Sequence, residues 1–308
     1  MSSGRQIRWL LLVFVLAGAR GWAGAGEGLT VMTWNVENYV AEDRMVAGEY
    51  RTEYPKPEAA KTALRAAIRE AGPDVLALQE MGPEPYLEEL QRDLQTEGAN
   101  YPYRALLDGP DPKRHLAVLS RVPLRRVTPH AEVPHRGGGA PNLVRRGVLE
   151  VAVALGAREV TLFVVHLKSR YTDDPADPES AAQRLGEAAA VRDLLLRRFP
   201  RPERAAFLLL GDCNDAPRSR PVQALLARGA TTIAALLPAG DAAGDGWTHH
   251  YRRQDVFSRV DYILVSPGLR PAVARMWVHD SPAVRAASDH RPVLVRLRAG
   301  RGGAGHTD

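Results

Sequence analysis

Short apolar segments that end in polar side chains recur along this chain. Residues 207–210 have the length and composition of a buried strand, and they lead through Gly211 into Asp212, Cys213 and Asn214. Side chains alternate along a strand, so Asp212 and Asn214 are predicted to share one face while Cys213 points to the other. A carboxylate beside a carboxamide suits a hard cation such as Mg²⁺, although a local turn favoured by Asp and Asn would use the same residues. Taken alone, this segment leaves both interpretations open.

The same patterns predict alternating strands and helices in one domain. Apolar runs predict strands at residues 29–35, 74–80, 114–121, 145–154, 159–167, 207–210, 258–266 and 288–296. Apolar positions spaced three and four apart predict helices at about 57–71, 87–94, 179–199 and 221–227. The polar residues 41–57 and the residues 129–141, rich in Pro, Gly and His, are predicted to be surface loops. With no repeat or linker, the chain is expected to form one mixed α/β domain over residues 26–298, followed by a disordered tail at 299–308.

The N-terminal residues have the composition of a secretory signal peptide. Basic residues precede an uncharged apolar segment at residues 9–19, and the small residues 23–25 allow cleavage after Ala25. The apolar segment is shorter than the ~20 residues that a membrane-spanning helix needs. We therefore expect residues 1–25 to act as a signal peptide and the protein to be exported, either to the periplasm or as a secreted protein.

The charge balance does not favour a dedicated nucleic-acid-binding protein. The 308 residues include 41 basic and 36 acidic side chains, a formal net charge of +5. Residues 1–25 hold three of the arginines and no acid, so 38 basic residues face 36 acidic ones in the remainder, a net charge of +2. A nearly neutral body attracts polyanions only weakly. The single cysteine, Cys213, rules out an intramolecular disulfide and is predicted to be a small buried side chain.

Polar side chains at six predicted strand ends point to one active site. They are Asn35, Glu80, His166, Asp212 with Asn214, Asp261, and Asp289 with His290. Each alone has an ordinary explanation, such as a turn, a solvated acid or a hydrogen-bonded core histidine. Together they supply several oxygen ligands for a cation and two histidines, which are the components of metal-assisted phosphoester hydrolysis.

In these residues the chain resembles the endonuclease/exonuclease/phosphatase superfamily, which includes DNase I-like nucleases, abasic-site endonucleases, sphingomyelinases and inositol-polyphosphate 5-phosphatases. Each motif is short, but six occur in the family's order and cover the whole body. The motifs are Thr33-Trp34-Asn35, Leu78-Gln79-Glu80, His166-Leu167, Gly211-Asp212-Cys213-Asn214, Arg259-Val260-Asp261-Tyr262-Ile263 and Ser288-Asp289-His290. The resemblance implies an α/β four-layer sandwich, with two mixed β-sheets packed face to face and helices outside. It also implies Mg²⁺ or Mn²⁺ dependence and hydrolysis of a phosphate ester.

The resemblance also implies which residues hold the metal and which act on the attacking water. Glu80 would be the main metal ligand, helped by Asn35 and Asp289. His290 would act as the general base or as an electrostatic partner of the water, and Asp261 would orient it. The number of metal ions and the identity of the base stay open.

The remaining implied roles concern the phosphate. Asp212 and Asn214 would position the nucleophile and the scissile phosphate, and His166 would donate a hydrogen bond to a phosphate oxygen. Arg145 falls about where family members place a phosphate-contacting arginine, although ordinary charge at a strand edge explains it equally well. Strand-edge charge is the favoured interpretation for three further basic residues: Arg146, Lys168 and Arg170.

Two positions depart from the pattern of DNase-like members. Those members pair the first histidine with a glutamate, but the corresponding residues here are Lys113, Arg114 and His115, which leaves the protonation state of His166 open. They also carry an arginine that reaches into the DNA minor groove just after the motif glutamate. Here residues 81–82 are Met-Gly, which argues against a DNase I-like mode of duplex binding.

Three functions are compatible with these residues. The first is an exported phosphodiesterase, most simply a nuclease, and the second is the same site acting on a phospholipid head group or a sugar or inositol phosphate. The third, a non-catalytic binding protein, is disfavoured because Glu80, Asp212, Asn214 and His290 are all present. Trp247 and the aromatic residues that follow it could stack on a base or sugar. We expect a monomer with no obligate protein partner, which acts on a phosphate ester, with nucleic acid among the candidate substrates.

Overall fold

Two large β-sheets with helices on their outer faces form the protein, as shown by a computed structural model that describes residues 28–137, 142–172 and 174–299. The predicted signal peptide and residues 300–308 of the predicted tail lie outside the described residues. No helix in the described ranges is long and apolar enough to span a membrane.

The strands are β1 (Leu29–Tyr39), β2 (Glu42–Val46), β3 (Glu49–Tyr54), β4 (Val75–Met81), β5 (Tyr103–Leu107), β6 (His115–Ser120), β7 (Arg126–His130), β8 (Pro134–His135), β9 (Asn142–Leu143), β10 (Val148–Leu155), β11 (Arg158–His166), β12 (Phe207–Asp212), β13 (Ala227–Arg228), β14 (Thr231–Thr232), β15 (Ala235–Leu236), β16 (His249–Tyr251), β17 (Val256–Ser258), β18 (Asp261–Val265), β19 (Val273–Val278) and β20 (Val293–Leu297). The helices are α1 (Glu58–Ala71), α2 (Glu84–Thr96), α3 (Ala181–Arg198), α4 (Arg220–Leu226) and α5 (Pro282–Ala287).

Sheet topology brings the polar strand ends to one edge. The first sheet has the strand order β19-β20-β1-β4-β6-β5, and the second has the order β15-β18-β12-β11-β10-β7. Each sheet contains a central parallel pair, β1 with β4 and β11 with β12. The antiparallel strands β18 and β20 begin at the edge where these parallel strands end. The residues at the ends of the parallel strands therefore lie beside the residues at the starts of β18 and β20.

Three apolar cores separate four layers. The inner faces of the two sheets meet in the central core, which includes Val31 and Val75 from the first sheet and Leu162 and Leu210 from the second. Helices α1, α2 and α5 cover the outer face of the first sheet, and α3 and α4 cover that of the second. The predicted four-layer α/β sandwich with two mixed sheets is therefore confirmed. Cys213 is buried against the outer core of the second sheet, as predicted.

Two segments predicted as loops contain strands. Residues 41–57 form the β2–β3 hairpin, and β7 reaches into residues 129–141. Every residue of β3 is exposed, so this strand has no buried apolar face for a hydrophobic pattern to reveal. The hairpin is held instead by cross-strand hydrogen bonding and surface ion pairs such as Lys113 Nζ to Glu53 Oε1 at 2.8 Å.

Candidate active site

Asp212 lies at the centre of the polar edge and is held by three hydrogen bonds. Its Oδ2 accepts hydrogen bonds from Asn35 Nδ2 at 3.0 Å and Asn214 Nδ2 at 3.3 Å, and its Oδ1 accepts one from the Asn214 backbone N–H at 2.7 Å. Asn35 belongs to the first sheet and Asp212 to the second, so this contact joins the sheets. The close approach of β11 to β12 requires Gly211, because a Cβ there would lie 1.9 Å from the Val165 carbonyl oxygen.

His290 and Asp261 form a buried pair next to Asp212. His290 Nδ1 lies 2.8 Å from Asp261 Oδ2, while its Nε2 lies 3.9 Å from Asp212 Oδ2 and 4.0 Å from Asp289 Oδ1. Burial acts to lower the pKa of His290, but the carboxylates of Asp261 and Asp212 raise it well above its usual range. The ring therefore carries a proton on each nitrogen, and Nε2 is directed between Asp212 and Asp289.

The backbone around this pair is fixed by side chains from other segments. Thr248 Oγ1 accepts hydrogen bonds from the backbone N–H groups of Val260 and Asp261, both at 3.0 Å. Trp34 donates from its indole Nε1 to the His290 carbonyl oxygen at 2.9 Å. These contacts connect the Trp34-Asn35 and Asp261-Tyr262 motifs to the site, although the rings of Trp34 and Tyr262 are buried in the core.

Glu80 is directed into the site by an irregularity in its strand. Its φ of 63° lies in the left-handed region, and the pairing of β4 with β1 and β6 shifts register around it. Glu80 Oε2 accepts a hydrogen bond from the Asn38 backbone N–H at 2.9 Å. Its Oε1 lies 3.9 Å from His166 Nε2, so the predicted main metal ligand and the predicted phosphate-binding histidine are neighbours.

His166 is buried and neutral. Its Nε2 lies 3.5 Å from Asp212 Oδ2, and its Nδ1 has no hydrogen-bond partner among the residues that the structure describes. Burial, together with the nearby charge of Arg146, lowers the pKa of His166 well below its usual range. His115, one of the residues in the region where DNase-like members are expected to carry a glutamate, is buried and pairs in register with Met81.

Two further site residues, Glu37 and His249, were not among the predicted catalytic or metal-binding residues. Glu37 Oε2 accepts a hydrogen bond from the Asp289 backbone N–H at 3.2 Å, and burial together with the charge of Asp289 raises the pKa of Glu37. The His249 ring lies 4.5 Å from that of His290, and its Nε2 lies 3.7 Å from Asp289 Oδ2. Strand alternation could not reveal Glu37, because its φ of 48° lies in the left-handed region and the pairing of β1 with β4 shifts register after Asn35.

The donor set fits a divalent cation. Burial and the charge of Asp261 raise the pKa of Asp212 to about 7, whereas His249 and His290 overcome the effect of burial and lower the pKa of Asp289 to about 2. Carboxylate oxygens of Asp212 and Asp261 lie within 4.8 Å of each other and of the His290 ring, and ligand atoms of His249 and Asp289 lie equally close to that ring. Because His290 is protonated, the carboxylates and not its ring would hold the cation. Burial is the main cause of the raised pKa of Asp212 and the charge of Asp261 adds to it, so a bound cation, which favours the ionised carboxylate, would offset both effects.

The structure places Arg146, rather than Arg145, against the site. The Arg145 side chain is 50% exposed and binds Asp111 Oδ2 through Nε at 3.3 Å. Arg146 is buried and shares the same Asp111 oxygen at 3.3 Å, and its Nη1 makes no hydrogen bond within the described part of the chain. Burial lowers the pKa of Arg146, and its charge, after burial, is the largest influence that lowers the pKa of His166.

Comparisons with known proteins place this arrangement in a family. A sequence model described as the endonuclease/exonuclease/phosphatase family matches residues 32–290. Among solved structures, the chain is similar to the 3′ phosphatase NExo from Neisseria bound to product DNA hairpin, with 20% identity over 87% of this chain and 99% of that chain and a TM-score of 0.56. It is also similar to sphingomyelinase C from Streptomyces griseocarneus, with 18% identity over 88% of this chain and 99% of that chain and a TM-score of 0.56. The human Nocturnin catalytic domain is similar with 16% identity over 87% of this chain and 93% of that chain and a TM-score of 0.59. No curated protein is significantly similar to the chain in sequence.

Proposed function

Because the chain belongs to the endonuclease/exonuclease/phosphatase family, a family of metal-dependent phosphoester hydrolases, we propose that it is an exported, Mg²⁺-dependent phosphodiesterase, most simply a nuclease. The observation that carries this proposal is the buried group of Asp212, Asp261 and His290 beside Asp289, in which acidic charge exceeds basic charge. The support for export is the composition of residues 1–25.

The site residues divide into metal ligands and groups that act on water and phosphate. Glu80 and Asp289 would hold the ion, with Asn35 beside them, and Glu37, which accepts a hydrogen bond from the Asp289 backbone N–H, could contribute. When bound, Mg²⁺ supplies Lewis-acid stabilisation of the charge on the phosphoryl oxygens. Mn²⁺ prefers similar oxygen ligands and would serve in its place.

The charge and position of three buried side chains, His290, Asp212 and His166, support their proposed roles in hydrolysis. His290 is protonated, so it acts as an electrostatic partner that stabilises developing negative charge through Nε2–H. Asp212 would accept the proton of the attacking water, because its buried carboxylate lies beside His290 and is held in place by the side chains of Asn35 and Asn214. Neutral His166 would donate from Nε2–H to a phosphate oxygen.

We propose that Arg146 binds the phosphate, in place of the Arg145 predicted from the sequence. Arg146→Ala is expected to lower kcat/KM by at least ~10-fold, because it removes a charge-assisted hydrogen bond from a buried position. Steady-state kinetics on bis(p-nitrophenyl) phosphate in Mg²⁺ measures the effect. Arg145→Ala is the matched control, since either arginine can still pair with Asp111 when the other is removed. A larger loss of kcat/KM in Arg145→Ala than in Arg146→Ala would show that Arg145, and not Arg146, binds the phosphate.

A substrate panel tests the proposed function. The mature chain in Mg²⁺ is expected to degrade plasmid DNA or RNA, and to act poorly on sphingomyelin and inositol phosphates. The second candidate, a phospholipid or sugar-phosphate hydrolase, is favoured by Met81 and Gly82 in place of the minor-groove arginine. If sphingomyelin or inositol phosphates are hydrolysed while plasmid DNA and RNA stay undegraded, the second candidate function is established instead.

A further inference from the structure

A cavity of about 630 Å³ opens beside Asp289, and the mechanism above gives it no role. Its volume is within the range of small-molecule sites. The residues that matter for its chemistry are Trp247, His250, Arg252, Phe257, Arg285 and Asp289. We infer that this cavity binds a nucleobase of the substrate while the scissile phosphate occupies the site next to it. This inference rests on the proposed phosphodiesterase function and narrows its substrate class.

Aromatic rings form one wall of the cavity as a preassembled platform. Phe257, which is 50% exposed, stacks on His250 with ring centroids 4.1 Å apart and planes inclined by 8°. The edge of Trp247 packs against Phe257 at 4.8 Å. The Arg291 guanidinium lies 3.4 Å from the centroid of Trp247 and is held by Asp241 at 2.7 Å. Because these rings are already fixed, a flat ligand could stack on Phe257 at little cost in side-chain entropy.

The charges of the cavity favour an anionic ligand over a cationic head group. Three arginines line it, but Asp280 pairs with Arg285 and Asp241 with Arg291, so Arg252 is the positive charge most available to a ligand. Of the two lining aspartates, Asp245 and Asp289, the second would be occupied by the metal ion. Arg252 is about half exposed, and its nearest acidic partner is Glu37, at 3.8 Å. A quaternary ammonium group would meet these arginines, whereas a nucleotide presents phosphate and ring acceptors to them.

The position of the cavity links it to the chemistry. Asp289 lines the cavity and lies 4.0 Å from His290 Nε2, and the β16–β17 hairpin that carries the rings is bridged to His290 through His249. A ligand could therefore place its phosphate at His290 and its ring against Phe257 at once.

Three probes that share a phosphate monoester test this inference by titration calorimetry in Mg²⁺: adenosine 5′-monophosphate, ribose 5-phosphate and phosphocholine. The adenine-bearing probe is expected to bind about 10-fold more tightly than ribose 5-phosphate, the difference expected for one stacked base. Phe257→Ala is expected to remove most of this difference. Val256→Ala is the matched control, because Val256 is similarly exposed on the same strand but its side chain points to the opposite face.

Equal affinities for the two sugar phosphates in the wild-type protein would overturn the nucleobase assignment, as would equal effects of the two substitutions. Tighter binding of phosphocholine would identify a head-group pocket instead. Failure of the proposed function itself is a separate result, since it would appear as no hydrolysis of any phosphodiester in Mg²⁺, whatever the probes show.

Discussion

Removal of divalent metal is expected to abolish phosphoester hydrolysis, and excess Mg²⁺ is expected to restore it. The physical reason is the concentration of carboxylates at the site: Asp212, Asp261 and Asp289 surround His290, and burial with the charge of Asp261 raises the pKa of Asp212 to about 7. Without a cation, a dianionic or monoanionic phosphate ester would be repelled from these acids. Initial rates on bis(p-nitrophenyl) phosphate, before and after EDTA treatment and dialysis, measure the effect.

Thermal unfolding separates metal binding from catalysis in the same experiment. A cation that binds the folded chain raises Tm in a concentration-dependent way, so Mg²⁺ should stabilise the wild-type protein. Glu80→Gln should shift this stabilisation to higher Mg²⁺ concentration, while Glu88→Gln should not, because Glu88 pairs with Arg104 on the surface of α2. Undiminished turnover after thorough chelation would refute the metal-dependent mechanism.

The sequence could predict the layers of the fold because most elements bury one apolar face. Helix α1 and strand β11 were predicted almost to their boundaries for this reason. The β2–β3 hairpin carries no such face, since its residues are exposed or half-buried. It is stabilised by its own cross-strand pairs and by contacts of Lys113 and Arg114 with its acidic side chains, which no local pattern displays.

The site residues were predictable where a motif ends a strand, and not where their role depends on a contact between distant segments. Glu37 and His249 belong to the site because they meet Asp289, more than 30 residues away in both cases. Arg145 and Arg146 illustrate a second limit. The strand that was predicted to contain them begins only at Val148, after Gly147 at a φ of 67°, so strand alternation could not decide which arginine points inward.

Buried hydrogen bonds between segments of the two sheets hold the site residues in place without a disulfide. Asn35 and Asp212 hydrogen-bond across the sandwich, and Ser288 donates its hydroxyl to the Asn35 carbonyl oxygen at 2.8 Å. Each contact is buried, where a hydrogen bond is costly to leave unmade. The positions of the acids are therefore set by the packing of both sheets, as preorganised electrostatic catalysis requires.

Replacement of His290 by alanine is expected to lower kcat by at least ~100-fold, the lower end for loss of a preorganised charge or proton-transfer group. The substitution removes a cationic side chain that faces Asp212, Asp261 and Asp289 together. Developing charge on the phosphate would then lose its Nε2–H donor, and KM should change less than kcat because the lost interaction strengthens in the transition state. Steady-state kinetics in saturating Mg²⁺ measures both constants.

His290→Ala also leaves the Asp261 carboxylate buried without its partner, so a lower Tm is expected alongside the kinetic loss. His290→Asn separates the two effects, because its amide can still donate to Asp261 Oδ2 in place of Nδ1–H while position 290 no longer presents a positive charge to the phosphate. If the role is chemical, this variant recovers Tm but not kcat. His279→Ala is the control, since His279 pairs with Glu70 outside the site and should keep wild-type kinetics. A folded His290→Asn protein with wild-type kcat would show that the imidazolium is not needed for hydrolysis, and the charge of His290 would then serve only to stabilise the buried Asp261.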